Sequence, residues 1–457
     1  MRRTSRRLIA ALAVGSVLVV ACSDDSTEDT GGGDSTETTA GGSETTGGST
    51  ESTEPMGDMW MVDTEACIDP DAANAPIEGE IHIGTVLPLT GPTSADEAFA
   101  PVKDGWLAYM DYANENGLLG DLTIKASVED DQYDPTLTPG AVSKLIDDEV
   151  DLFSGIIGSP NNLAVRDTLN EECIPQLANL TGLPAWGEDA AEYPWTTGEL
   201  VPYTVESRVY MQSLADQGVT KVALFYVNTE FGQSYADTIL AEAADFGLEI
   251  VAEETVEGTD LAPPAGQLTT IADSGAEAII AVPLGAGCVT FLAGLADKKA
   301  QTAGWEPLTY VTNTCAASLI LAAAGPAADG LYTSNFLLDA TDPDEQGKDA
   351  VKAYVDYMTE KGLGDKISTA SAGWTVAEVT VAIIKQAMES PEGLTRASII
   401  NAARNFDYTP MLARDGVVSK MSGLDDTFPF ESLQVLQYDA TNAVFTEVGD
   451  LITSFES

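Results

Sequence analysis

The stretch IHIGTVLPLTGP, Ile81–Pro92, is a short apolar strand entering a turn, and DGWLAYMDYANENG, Asp104–Gly117, is the helix that follows. Trp106, Tyr109, Met110 and Ala113 recur at i, i+3, i+4 and i+7, one face of a helix predicted over about Asp96–Asn116. In an open α/β sheet the ligand sits just past such a strand end. Here the turn holds a single glycine, Gly91, between Thr90 and Pro92. It lacks the successive glycines that let a backbone wrap a pyrophosphate, so a small uncharged or zwitterionic solute suits it better. Read more plainly, it starts a helix, with Thr93 or Ser94 as cap.

Outward from this unit the pattern continues. Strands are predicted at Leu122–Val128, Leu152–Ile157 and Ile174–Asn179, with helices at Thr138–Asp148 and Asn161–Asn170. It then repeats: strands at Lys221–Val227, Leu248–Ala252, Ala278–Val282, Leu308–Thr312 and Gly330–Ser334, separated by helices at Gly232–Phe246, Ala265–Asp273, Cys288–Ala300 and Ala317–Ala324. Strand–helix alternation predicts parallel sheets covered by helices on both faces. Beyond Ser334 three helices follow, near Glu345–Lys361, Thr369–Glu389 and Leu394–Ala403. Short extended pieces close the chain at Gly416–Ser419, Leu433–Tyr438 and Val444–Val448. The fold expected is α/β, two doubly wound parallel-sheet lobes joined by a three-crossing hinge near Val201–Thr204, Leu331–Phe336 and Tyr408–Val417. The helices return to the first lobe and the closing strands to the second.

The ends of the chain speak to location. Arg2, Arg3, Arg6 and Arg7 precede an apolar run, Leu8–Val20, too short for a comfortable membrane span. Val19-Val20-Ala21-Cys22 resembles the bacterial lipobox, which implies cleavage after Ala21, a lipid on Cys22 and a protein anchored on the outer face of the cytoplasmic membrane. From Ser23 to about Pro55 the chain is almost all Ser, Thr, Gly, Asp and Glu, with nothing to bury, and reads as a disordered tether. With 21 Lys and Arg against 73 Asp and Glu, the net charge is −52, so nucleic acid and anionic lipid are poor partners. The only membrane contact expected is the lipid. A single histidine, His82, lies inside a predicted strand and reads as structural; no pair of cysteines has CxxC spacing, so no metal site is expected, and no cofactor. Cys67, Cys173, Cys288 and Cys315 suit an oxidising compartment and allow three pairings.

At this point the sequence resembles the type I periplasmic solute-binding proteins of ABC importers, in the branched-chain amino acid (Leu/Ile/Val) receptor group. IHIGTVLPLTGP is similar to that family's first strand and turn. DYANENGLLG resembles its Asn-x-x-Gly-Gly-Ile-x-Gly segment, with Leu118 where a second glycine is usual. VEDDQYDP, LFSGIIGSPNNLAVRDTLNEECIPQLANLTG and FYVNTEFGQSYA resemble later blocks in order, over about Ile81 to Val448. The resemblance implies a ligand held between the lobes: its carboxylate at Ser159, and its ammonium at Leu180, Thr181 and Gly182. Aromatic walls are implied at Phe231 and Trp374, and Asn313 and Thr314 lie at a second-lobe strand end. Three departures stand out. Asp96 replaces an aromatic of the first turn, Pro160 removes an amide donor after Ser159, and no acid stands near Thr314–Cys315, where the receptors place an ammonium ligand. Asp96, Glu230 or Glu206 are candidate substitutes.

The organisation expected is a signal peptide over 1–21, an acidic linker over 22–55 and an N-terminal extension over 56–80. Lobe one comprises 81–202 and 335–409, and lobe two 203–334 and 410–457. Cys288 and Cys315 each follow neighbouring second-lobe strands, while Cys67 and Cys173 precede the first and fourth strands. This placement predicts the disulfides Cys67–Cys173 and Cys288–Cys315. The function expected is capture of a small polar solute, an amino acid or related amide, by a monomer that delivers it to ABC permease and ATPase subunits. A sensor presenting its ligand to a membrane receptor uses the same fold. A hydrolase is the remaining reading, but no GxSxG is present and the only histidine lies in the first strand.

Overall fold

The structure, a computed structural model, describes residues 59–91 and 99–455. The signal peptide, the tether, Cys22 and the first-turn residues around Asp96 lie outside the described residues.

Two sheets build two lobes with the same strand order. In the first, β1 (Glu80–Leu87), β2 (Thr123–Asp130), β3 (Leu152–Ser154), β4 (Gln176–Asn179) and β5 (Thr196–Gly198) lie in the order β2-β1-β3-β4-β5, all parallel. The second holds β6 (Lys221–Val227), β7 (Glu249–Val256), β8 (Ala278–Val282), β9 (Leu308–Val311) and β10 (Tyr332–Asn335) in the equivalent order β7-β6-β8-β9-β10. The central strands are buried along nearly their whole length, as strands covered on both faces are: every residue of β8, AIIAV, is buried. β11 (Asn405–Tyr408) and β12 (Ser419–Ser422) pair with each other as an antiparallel ribbon. β13 (Gln434–Asp439) and β14 (Val444–Glu447) extend the second sheet antiparallel beside β10.

The sequence reading differs from this in several elements: it places one closing strand early and does not include β5, β11 or the helix Tyr203–Asp216. The extended piece expected at Gly416–Ser419 lies three residues later, as β12, and pairs with β11 rather than with the second sheet. β11 itself, NFDY, alternates polar and apolar residues over only four positions, too few to mark a strand. After β5 the chain enters a helix, Tyr203–Asp216, at once, with Pro202 ahead of it where a missing amide hydrogen costs nothing.

The helices Ala100–Glu115 and Ile367–Ala387 run together across the first lobe. Their contact is set by two glycines. A Cβ on Gly105 would stand 1.9 Å from the carbonyl oxygen of Ala370, and one on Gly373 would stand 1.9 Å from that of Val102. Only backbone against backbone fits there. The Ile367–Ala387 helix is long and apolar enough to cross a membrane, yet most of it is buried inside the fold.

Residues before β1 are tied to the first lobe. Cys67 and Cys173 form a disulfide, the Ile77 amide donates to the Leu394 carbonyl (2.8 Å), and Arg404 lies over the Trp60 ring at 5.6 Å. Cys288 and Cys315 form the second disulfide, within the second lobe. His82 is buried in β1, its Nε2 2.8 Å from Ser127 Oγ on β2.

Candidate ligand-binding site

Both parallel sheets present the carboxyl ends of their strands to the junction between lobes, and the loops there build two separate spaces. One is a cavity of about 990 Å³ including its open mouth. Phe99, Val102, Ile157 and Leu180 wall it from the first lobe, with Ser371, Ala372 and Thr375 of the long helix. Asn313, Thr314, Ala316, Ala317 and Ile320 face them from the second, and the connecting segments Glu199–Leu200 and Asn335–Asp339 close one side. The other space is an open trough. There Gln132–Pro135 and Pro160 look across at Asn228–Glu230, Gln233 and Glu257–Thr259.

Between these spaces lies aromatic packing. Tyr203 stacks on Tyr235 (4.6 Å between centroids) and meets Phe231 edge-on (5.1 Å). Its ring is seated against Gly182, where a Cβ would stand 2.8 Å from the ring edge. The Tyr133 ring covers Gly158 in the same way and stacks on Phe99 at 6.0 Å. These rings occupy the ground around Ser159 and Thr181. The two hydroxyls are 2.7 Å apart, both buried, and Tyr203 Oη donates to Thr181 Oγ1 at 3.4 Å.

The residues singled out from the sequence therefore separate. Leu180, Asn313 and Thr314 line the cavity. Ser159 and Thr181 come together as expected from strand ends, but their hydroxyls serve each other and do not line it. Gly182 supports Tyr203, and Phe231 is buried in the aromatic packing. Trp374 faces the core: Tyr109 (4.9 Å), Tyr354 (5.1 Å), Tyr112 and Tyr357 surround its ring, and Nε1 donates to Met411 Sδ at 3.2 Å. Ser371, Ala372 and Thr375, turned from Trp374 by about 60° to 160° around the helix, reach the cavity instead.

Of the candidate substitute acids, Glu230 borders the trough. Glu206 is fully engaged. Its carboxylate accepts from Tyr210 Oη (2.5 Å), Ser334 Oγ (2.9 Å), the Asn313 amide (2.7 Å) and Tyr235 Oη. Burial nevertheless holds its pKa above the usual carboxylate range. Its part is to fix the loop that carries Asn313.

Two acids at the cavity, Glu199 and Asp339, escaped the sequence reading. Glu199 is 1% exposed and neither carboxyl oxygen has a hydrogen-bond partner; only its backbone is held, the amide donating to the Asn179 carbonyl at 3.0 Å. Burial, and then the charge of Glu378, push its pKa well above the ordinary value. Asn313 Nδ2 and Thr375 Oγ1 are also buried and unpartnered. The one signal in the sequence was an acid set among apolar residues, GELVP, just after a strand end. Among the described residues, no group of three or more His, Cys, Asp or Glu could hold a metal ion.

The sequence model of the periplasmic binding protein family matches residues 80–440, which takes in both sheets, the helices between them and the cavity. The chain belongs to the periplasmic binding protein family. The fold of this periplasmic binding protein is similar to a branched-chain amino acid ABC transporter protein from Thermus thermophilus with bound valine. The TM-score is 0.72 at 20% identity, covering 82% of this chain and 97% of that one. It is also similar to a fatty acid ABC transporter substrate-binding protein from Thermomonospora curvata, with a TM-score of 0.69 at 19% identity over 83% and 93% of the two chains. A third likeness is to a solute-binding protein from R. palustris in complex with benzoate, with a TM-score of 0.66 at 18% identity over 81% and 96%. No curated protein sequence matches this periplasmic binding protein.

Proposed function

We propose that the protein is a lipid-anchored receptor on the outer face of the cytoplasmic membrane that captures a small solute between its lobes and hands it to an ABC importer. The solute has an apolar body and one polar end. The observation that carries this reading is the cavity at the lobe junction, apolar over most of its wall and edged by the buried, unpartnered polar atoms of Glu199, Asn313 and Thr375. Unmet polar groups in an apolar wall cost free energy that a ligand recovers. Apolar amino acids and amides are within this class; so are the ligand types named for proteins of similar fold, valine, fatty acids and benzoate. The lipid anchor rests on the lipobox-like Val19–Cys22 and the importer on family membership. Native mass spectrometry of the protein purified from its own cells tests the reading. A stoichiometric small molecule, lost on unfolding, is expected. A protein that carries none, and binds none from a concentrated extract of small metabolites, refutes capture.

A further inference from the structure

Building on the receptor reading, we infer that the cavity selects an organic ammonium ion with an apolar body and no carboxylate, and that Glu199 is the residue that pairs with its charge. Among the described residues, the cavity wall carries two acids, Glu199 and Asp339, and no lysine, arginine or histidine. Asp339 is already engaged, accepting from Ser318 Oγ at 2.5 Å and from the Thr341 amide at 2.9 Å. Arg414, close behind on the hinge, is engaged with Glu345 and Glu447. Glu199 alone has both oxygens free of hydrogen bonds.

A buried carboxyl without a cation or donor is held in its neutral form at a cost, and a charge brought into an apolar cavity is stable only when paired. A ligand ammonium supplies the missing partner, while a ligand carboxylate would meet two acids and no base. Apolar side chains, Phe99, Val102, Leu180, Ile320 and Leu337, surround the place where the rest of the molecule would lie. Asn313 Nδ2, a donor, and Thr375 Oγ1 offer a further polar contact from each lobe. The hydroxyls expected at an amino acid's polar head, Ser159 for its carboxylate and Thr181 for its ammonium, are occupied with each other. The second-lobe acid that the sequence lacks is thus replaced from the hinge side.

The test is calorimetry on the purified protein freed of bound solute, with n-hexylamine and benzylamine as probes against hexan-1-ol, n-hexanoate, benzoate and leucine. Both amines are expected to bind at least tenfold more tightly than hexan-1-ol or the acids. Glu199→Gln, of the same shape, is expected to weaken the amines by about ten- to a hundredfold and leave hexan-1-ol unchanged. The comparison of amine with alcohol needs only the wild-type protein, so it decides the matter even if the variant fails to fold. Equal binding of hexylamine and hexan-1-ol, tighter binding of any acid or of leucine, or no binding of amines overturns the inference. In the second of these cases the receptor reading stands.

Discussion

Replacing Glu378 by Gln should flatten the fall of stability with pH. Glu378 lies on the long helix Ile367–Ala387, and one carboxyl oxygen accepts from Tyr408 Oη (2.7 Å) and the Met411 amide (2.9 Å), while the other has no partner. Burial outweighs those two bonds and pushes its pKa from the ordinary 4.5 up to about 7. The folded protein therefore keeps a proton that the unfolded chain releases. The stability this represents is fully present below about pH 4.5 and is lost as pH rises through about 7. At about 1.4 kcal/mol per unit, the loss is roughly 3 kcal/mol. For a chain of this size that is about 4 °C in Tm. Gln keeps the accepting oxygen and the shape but cannot titrate. It also removes the charge that raises the pKa of Glu199, which acts in the same direction. Denaturation curves of wild type and Glu378→Gln from pH 5 to pH 8, disulfides intact, give the difference directly. The variant should gain on the wild type by roughly 3 kcal/mol across that range. Parallel curves, or a wild type that gains on the variant as pH rises, would refute the buried, protonated carboxyl.

Gly373→Ala should cost at least ~2 kcal/mol, because its Cβ would meet a backbone carbonyl at 1.9 Å and force two helices apart; it should also weaken ligand binding, since Ser371 and Thr375 ride on the same helix. Thermal melts with and without ligand check both effects, and an Ala variant as stable as wild type would mean the helices are not in that contact. Removing Cys67–Cys173, which spans 106 residues, should cost about 4.7 kcal/mol and removing Cys288–Cys315, which spans 27, about 3.5 kcal/mol by loop entropy, to be read from Cys→Ser pairs in urea. Ligand should close the two lobes about the segments that join the sheets, lowering the radius of gyration in small-angle scattering; an unchanged profile at saturation would argue against hinge motion.

Much of the architecture is legible locally. The strands β6 and β8 are apolar runs, β1 is mostly so around His82 and Thr85, and the helices between them carry 3.6-residue spacing, so their type and order follow from short-range pattern alone. The repeat of that pattern implies two sheets, and the position of each cysteine relative to its nearest strand is enough to pair them. What local pattern cannot convey is rotation and company. Trp374 and Thr375 are adjacent, yet a step of one residue turns a helix by about 100°. It is the backbone contact at Gly105 and Gly373 that sends Trp374 into a cage of tyrosines and Thr375 to the cavity. Ser159 and Thr181 are brought to one place by neighbouring strand ends, as the order of β3 and β4 requires. Whether they meet a solute or each other depends on Tyr203, which is contributed by the second lobe's first helix. Glu199 is the extreme case: in the sequence it is one acid among 73, and only the closure of two sheets around it strips away its water and leaves its oxygens without a partner.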